Sequence, residues 1–205
     1  GLRLSDNFEF FLSASMARRQ MTDSEGVGAE AVTAVFDVNS VPGFHNNSFI
    51  GYAEVAARFD SRRLRTKPTP GVLLEGYLGG ANETQGDAVA FARIGWRAAA
   101  FIPLYRKTNI VSPRFVFDRL VPLSGLDVPF TQIPRQPDYR GFDTRRDYVS
   151  MVASLDYTWQ LVPFMGMRAF LDLATTAPSV AAMGLEQIED ARYAAGLGID
   201  FFSDT

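Results

Sequence analysis

The 205-residue chain carries 20 Lys and Arg against 23 Asp and Glu, a formal charge of −3, with one His and no Cys. Those numbers exclude a disulfide scaffold, a thiol nucleophile and any cysteine-ligated zinc or iron–sulfur centre, and they argue against a general nucleic-acid binder. With 47% hydrophobic and 13% aromatic residues, the chain has the apolar surface to fold, and no run, Ala98–Leu104 included, approaches the ~18–20 apolar residues of a membrane helix.

Period-two alternation dominates the chain, and successive side chains of a strand point to opposite faces. In Phe8–Arg18, Phe8, Phe10, Leu12, Ala14 and Met16 oppose Glu9, Ser13 and Ser15. Val27–Val38 gives a weaker strand signal. In Ala53–Asp60, Ala53, Val55, Ala57 and Phe59 oppose Glu54, Arg58 and Asp60. Val72–Leu78 is weaker again, followed by a turn expected over Gly79–Asp87. Ala90–Ile102 sets Ala92, Ile94, Trp96, Ala98 and Ala100 against Arg93, Gly95 and Arg97, and Ile110–Asp118 is a further weak candidate.

The long connection Val121–Tyr148 carries Pro122, Pro129, Pro134 and Pro137, and a loop of this length in a compact fold is usually functional. Beyond it lies the clearest alternation. Met151, Ala153, Leu155, Tyr157, Trp159 and Leu161 share one face; Val152, Ser154, Asp156, Thr158 and Gln160 share the other. Met167, Ala169, Leu171 and Leu173 oppose Arg168 and Asp172, and Tyr193, Ala195, Leu197, Ile199 and Phe201 oppose Gly196, Gly198 and Asp200. Leu185–Tyr193 reads as a short helical turn or a loop. The total is about nine or ten strands of roughly 9–12 residues, one all-β domain over 1–205. The opening Gly1-Leu2-Arg3-Leu4 is neither an initiator start nor a signal peptide, and the expectation is a piece of a longer protein.

Alternation of this kind fits a soluble sandwich or a transmembrane barrel. Strand length favours the barrel, since soluble strands peak at ~5–6 residues and bilayer-crossing ones need ~9–11. So does the placement of Trp96, Phe101, Tyr105, Tyr157, Trp159 and Phe164 near segment ends, as in interfacial aromatic girdles. On that reading the apolar stripes face lipid. Glu54, Arg58, Asp60, Arg93, Arg97 and Asp156 then form an ordinary wet lumen wall rather than a selectivity filter.

Several segments carry a resemblance. Phe59-Asp60-Ser61-Arg62 followed by Pro70-Gly71-Val72-Leu73-Leu74-Glu75, then Asp127-Val128-Pro129-Phe130, Tyr139-Arg140-Gly141-Phe142, Tyr148–Trp159, Phe170-Leu171-Asp172 and Ala191–Gly198 occur in that order. The ordered set resembles the BamA/TamA-like bacterial surface antigen barrels over roughly Phe59–Phe202. The pattern departs from the family at Pro134-Arg135-Gln136-Pro137 and at Ala174, where glycines are common.

The resemblance implies a sixteen-stranded antiparallel outer-membrane barrel of a Gram-negative bacterium, of which this chain is an incomplete part. Its implied work is inserting or translocating polypeptides. It also implies that the long loop folds into the lumen with Arg140 pairing Asp172, Gly141 making a tight turn and Phe142 an apolar plug. The implied partners are outer-membrane lipid, client polypeptides and other membrane-complex subunits, with no nucleic acid and no cofactor.

Other features read blandly. His45, in Pro42–Ser48, has no second His or Ser–Asp arrangement and reads as a surface side chain. Gly26–Gly28 and Gly76–Gly80 lack the strand-to-helix setting of a phosphate loop, and Asn46-Asn47-Ser48 and Asn82-Glu83-Thr84 match glycosylation acceptors by chance. No catalytic constellation is present, so the expectation is a non-enzyme. The rival expectations are a passive pore or structural barrel, the membrane anchor of a fused enzyme, and a soluble ligand-binding β domain.

Overall fold

In a computed structural model the described residues form one antiparallel sheet of nine strands in simple sequence order. The structure describes residues 1–19, 32–35, 37, 41, 48–85, 89–105, 108–136, 138–142, 145–184 and 189–202. The strands are β1 (Leu2–Ser5), β2 (Phe8–Arg19), β3 (Ser48–Asp60), β4 (Gly71–Gln85), β5 (Ala90–Pro103), β6 (Asn109–Pro122), β7 (Val149–Val162), β8 (Met165–Ala177) and β9 (Arg192–Phe201). Among the described residues the sheet is open: β1 pairs only with β2 and β9 only with β8.

Alternation translates directly into two chemically opposite faces because the register keeps like with like. Leu155 lies between Pro113 of β6 and Leu171 of β8, and Leu171 in turn faces Ala195. Leu12 faces Val55, which faces Leu78, which faces Ile94. A one-residue slip anywhere would throw charged side chains into these rows, so the pattern fixes the register. On the other face Glu9 opposes Arg58, Arg58 opposes Glu75, and Glu75 opposes Arg97.

The apolar face is bare and the ionic face is covered, the reverse of an ordinary soluble domain. Leu155 and Trp159 are each 48% exposed and Leu197 81%, whereas Asp172 is 0% exposed. The cover is the long β6–β7 connection, a strap that lies on the ionic face. Val128 of the strap closes a cluster with Ile50, Ala81, Val89, Phe91 and Leu120, and Tyr139 packs on Val116, Val152 and Ala174. The strap also reaches back to β2, where Arg19 donates to the Thr131 carbonyl at 3.1 Å.

The ionic face is concave. Residues of the β3–β4 connection and the end of β9 line one cavity of about 300 Å³. In a flat sheet β4 and β9, five strand spacings apart, would be separated by about 24 Å. Only a strongly curled sheet brings them together.

Aromatic side chains on this face lie over glycines of the next strand. Tyr52 of β3 covers Gly79, Tyr77 of β4 covers Gly95 and Phe170 of β8 covers Gly196; a Cβ at Gly95 would come within 2.2 Å of the Tyr77 ring. The glycines leave room for rings to lie flat across neighbouring strands, the pairing used to hold curved sheets. Gly95→Val therefore overpacks the wall and is expected to cost about 1–3 kcal/mol, read as a lower urea midpoint. Adding Tyr77→Ala should recover part of that loss; no recovery would show that the ring is not the obstacle.

Three expectations are corrected. The Gly79–Asp87 turn is largely strand, because β4 runs on to Gln85 under Tyr52. Of Val27–Val38, the described residues include a helical turn at Val32–Val35, α1, in place of a strand; most of that segment, with Gly26–Gly28, lies outside the described residues. The strands from β3 to β8 run to 13–15 residues, longer than expected, since the polar flanks stay hydrogen-bonded in the ladder. His45 and Asn46-Asn47 also fall outside the described residues, and Asn82-Glu83-Thr84 lies within β4.

Candidate functional site

The site is the contact between the strap and the ionic wall, and it starts from the register of β7 and β8. Ser154 pairs with Asp172 and Asp156 with Phe170, so Asp156 and Asp172 are diagonal neighbours on one face with Phe170 beside both. Two carboxylates so placed repel each other unless a cation sits between them.

Arg140 is that cation. Its Nε and Nη2 donate to Asp172 at 2.8 and 2.6 Å, and its Nη1 donates to Asp156 at 2.5 Å. The backbone N–H of Arg140 adds a third contact to Asp172 at 3.1 Å, and the guanidinium lies 3.8 Å from the centre of the Phe170 ring. A planar fork suits this geometry, donating along its edges to two acids while its face stacks on an aromatic ring. The Asp172 hydrogen bonds hold the Arg140 guanidinium above its ordinary pKa against the opposing pull of desolvation. Arg140 thus stays charged at any pH the protein meets.

The flanking strap residues divide the work differently from the expectation. Gly141 is not in the left-handed region; its role is room, since a Cβ there would approach the Tyr139 hydroxyl to 2.3 Å. Tyr139 uses that room to reach the wall cluster of Val116, Val152 and Ala174. Phe142 is 99% exposed and plugs nothing among the described residues. Tyr139, on the other side of Arg140, makes the apolar contact instead. Gly141→Ala is expected to push Tyr139 off the wall and weaken strap docking by about 1–3 kcal/mol. Quenching or shift of a reporter at position 142 would measure it, and unchanged docking would refute the assignment of room to Gly141.

The predicted wall residues all lie on the covered face, and each is engaged. Glu54 accepts from the Tyr52 hydroxyl at 2.5 Å; Arg58 binds Glu75 at 2.6 Å; Asp60 holds Arg62 at 2.8 Å and Arg65 at 3.6 Å. Arg93 is paired with Asp118. Arg97 lies between Glu75, at 3.9 Å, and Asp138 of the strap, at 3.6 Å. Asp156 is shared by Arg140 and, at 3.9 Å, Arg168, which also pairs with Asp200. The wall is a mesh of alternating charge, and the strap enters it twice, through Asp138 and Arg140.

Sequence reasoning missed Asp138, Tyr139, Phe170 and Asp118 as working residues. Asp138 and Tyr139 stand next to Arg140 in a non-repeating segment, where no periodicity tells which side chain turns inward. Among the described residues, no group of three or more His, Cys, Asp and Glu is placed to hold a metal ion. In comparisons with known proteins, no family model and no curated protein matches the chain.

Proposed function

We propose that the sheet is part of a transmembrane β-barrel of the outer-membrane, surface-antigen type, with lipid against the apolar face and water against the ionic face. The carrying observation is the inversion of faces: a continuous apolar surface is left bare while carboxylates and guanidiniums are covered. A soluble monomer rarely exposes more than a few hundred Å² of contiguous apolar surface. Strands of 13–15 residues are long enough to cross the hydrocarbon at a tilt.

Within that reading the strap is a lumen loop, and the work is the insertion or translocation of polypeptides at the outer membrane, with client chains and other membrane-complex subunits as partners. The strap's double engagement of the wall favours an interior held in a defined state over a steadily open pore. Planar-bilayer conductance of the full-length protein separates the two: a constant open channel, indifferent to added unfolded polypeptide, would favour the pore.

The absence of native cysteine among the 205 residues makes the membrane reading directly testable. In phosphatidylcholine vesicles, Leu155→Cys and Leu171→Cys in the full-length protein should resist a charged maleimide until detergent is added. Arg58→Cys, on the ionic face, should react. Equal and rapid labelling at all three positions in intact vesicles would overturn the proposal.

A further inference from the structure

A cavity of about 130 Å³ lies at the long-connection end of the ionic face, against the start of the strap. Its polar lining comes from three strands and the strap: Ser15 and Arg19 of β2, Tyr52 of β3, Arg93 of β5 and Gln132 of the strap. Among the described residues no carboxylate lines it. Tyr52 is committed to Glu54, and Arg93 spends its Nε and Nη2 on Asp118, which leaves its Nη1. Arg19 spends its Nη1 on the Thr131 carbonyl, which leaves its Nε and Nη2. Gln132 donates its backbone N–H to the Pro129 carbonyl at 2.8 Å, and its side-chain amide makes no hydrogen bond among the described residues.

The strap gathers like charge beside this cavity. Arg19 donates to the Thr131 carbonyl at 3.1 Å, and Arg146 donates to the preceding carbonyl, that of Phe130, at 2.9 Å. Acceptors one residue apart make the two guanidiniums close neighbours. Burial, with the guanidiniums of Arg135 and Arg19 nearby, holds Arg146 below its ordinary pKa. Among the described residues none of these three arginines forms an ion pair. Elsewhere on the same face Arg58, Arg93 and Arg168 each meet a carboxylate directly. A carbonyl offers only a partial charge, so the repulsion among the three persists until an anion joins them.

The shape and lining select among anions. Guanidinium forks with open N–H groups suit the coplanar oxygens of a carboxylate. Ala17, Ile50 and Phe91 supply an apolar wall. That wall would strip water from an inorganic ion without replacing its hydrogen bonds, whereas it suits a short hydrocarbon stem. We propose that this cavity binds a carboxylate carried on a short apolar stem, with Arg19 and Arg93 on the oxygens and Ser15 and Gln132 beside them. An acidic side chain of a polypeptide and a free short-chain acid offer the same chemistry. The inference stands on the cavity and the arginines around it and does not depend on the membrane reading.

The full-length protein in uncharged detergent at low ionic strength tests it, with ¹³C NMR of carboxyl-labelled butyrate as the first arm. The second arm follows ¹³C-labelled acetyl-Gly-Glu-Gly-amide beside its glutamine counterpart. Saturable broadening of the butyrate line supports a free acid. Saturable broadening of the glutamate peptide, absent from the glutamine one, supports a polypeptide side chain. In either arm Arg19→Gln should weaken binding by about tenfold, through loss of charge-assisted hydrogen bonds. Gln132→Leu, which keeps the backbone bond to Pro129 and so leaves the strap path intact, should weaken it severalfold. Arg3→Gln on β1 should leave it unchanged. Absence of saturable binding in both arms overturns the proposal. So does binding that Arg19→Gln and Gln132→Leu leave at full strength, and so does displacement of butyrate by a lower concentration of inorganic phosphate than of unlabelled butyrate.

Discussion

Arg140→Ala is expected to release the strap. The substitution removes the guanidinium that neutralises Asp172 and Asp156 while leaving Asp172 with no solvent exposure. Breaking a buried ion pair from one side typically costs about 3–5 kcal/mol. Arg140 keeps about a quarter of its side-chain surface in solvent, which points to the low end, about 3 kcal/mol. That is roughly a hundredfold shift toward the undocked strap.

Limited trypsin digestion of the full-length protein reads the shift, because Arg145 and Arg146 lie in the strap and become cutting sites when it lifts. Arg140→Lys should fall between wild type and Ala, since one ammonium cannot serve two carboxylates and a ring face at once. Unchanged cleavage in Arg140→Ala would end the idea that this residue docks the strap. A simple exchange of charges with Asp172 is expected to rescue little, because it sets a carboxylate at position 140 beside Asp156. Adding Asp156→Asn to the exchange should recover more.

Leu155→Arg separates the membrane reading from its rivals most sharply. Leu155 is near the middle of β7, on the bare face between Pro113 and Leu171. In water a half-exposed leucine exchanged for arginine changes stability by a few tenths of a kcal/mol and improves solubility. At the midplane of a bilayer the same exchange costs about 2–4 kcal/mol. Refolding of the full-length protein into phosphatidylcholine vesicles across a urea series should therefore show the mutant's midpoint clearly lowered. Leu161→Arg, near the strand end, should show a smaller loss. A mutant as stable as wild type in lipid, and freely soluble without detergent, would exclude the barrel.

How far these features could be read before the fold was known depends on whether they repeat. β2, β3, β5, β7, β8 and β9 are visible because each alternates over many residues. β1, with four residues, is too short to show a period. The Gly79-Gly80 pair looks like a turn because glycine usually breaks strands; what makes it strand is Tyr52 lying over Gly79 from the next strand.

The pairing of Arg140 with Asp172 was accessible only through a resemblance. Asp156 as the second acceptor could not be seen, because it depends on the β7–β8 register that puts Ser154 opposite Asp172. The choice of Tyr139 over Phe142 as the inward aromatic is set by a backbone path that has no repeating geometry.

The number nine carries a constraint of its own. In an up-and-down meander the direction of travel reverses at each step, so the first and ninth strands point the same way. Joined directly, they would make a parallel seam. Any ring with antiparallel neighbours throughout must add an odd number of strands between them, giving an even total. Seven would complete a ring of sixteen. The parity of any arc that closed such a ring is thus set by topology before any side chain is considered.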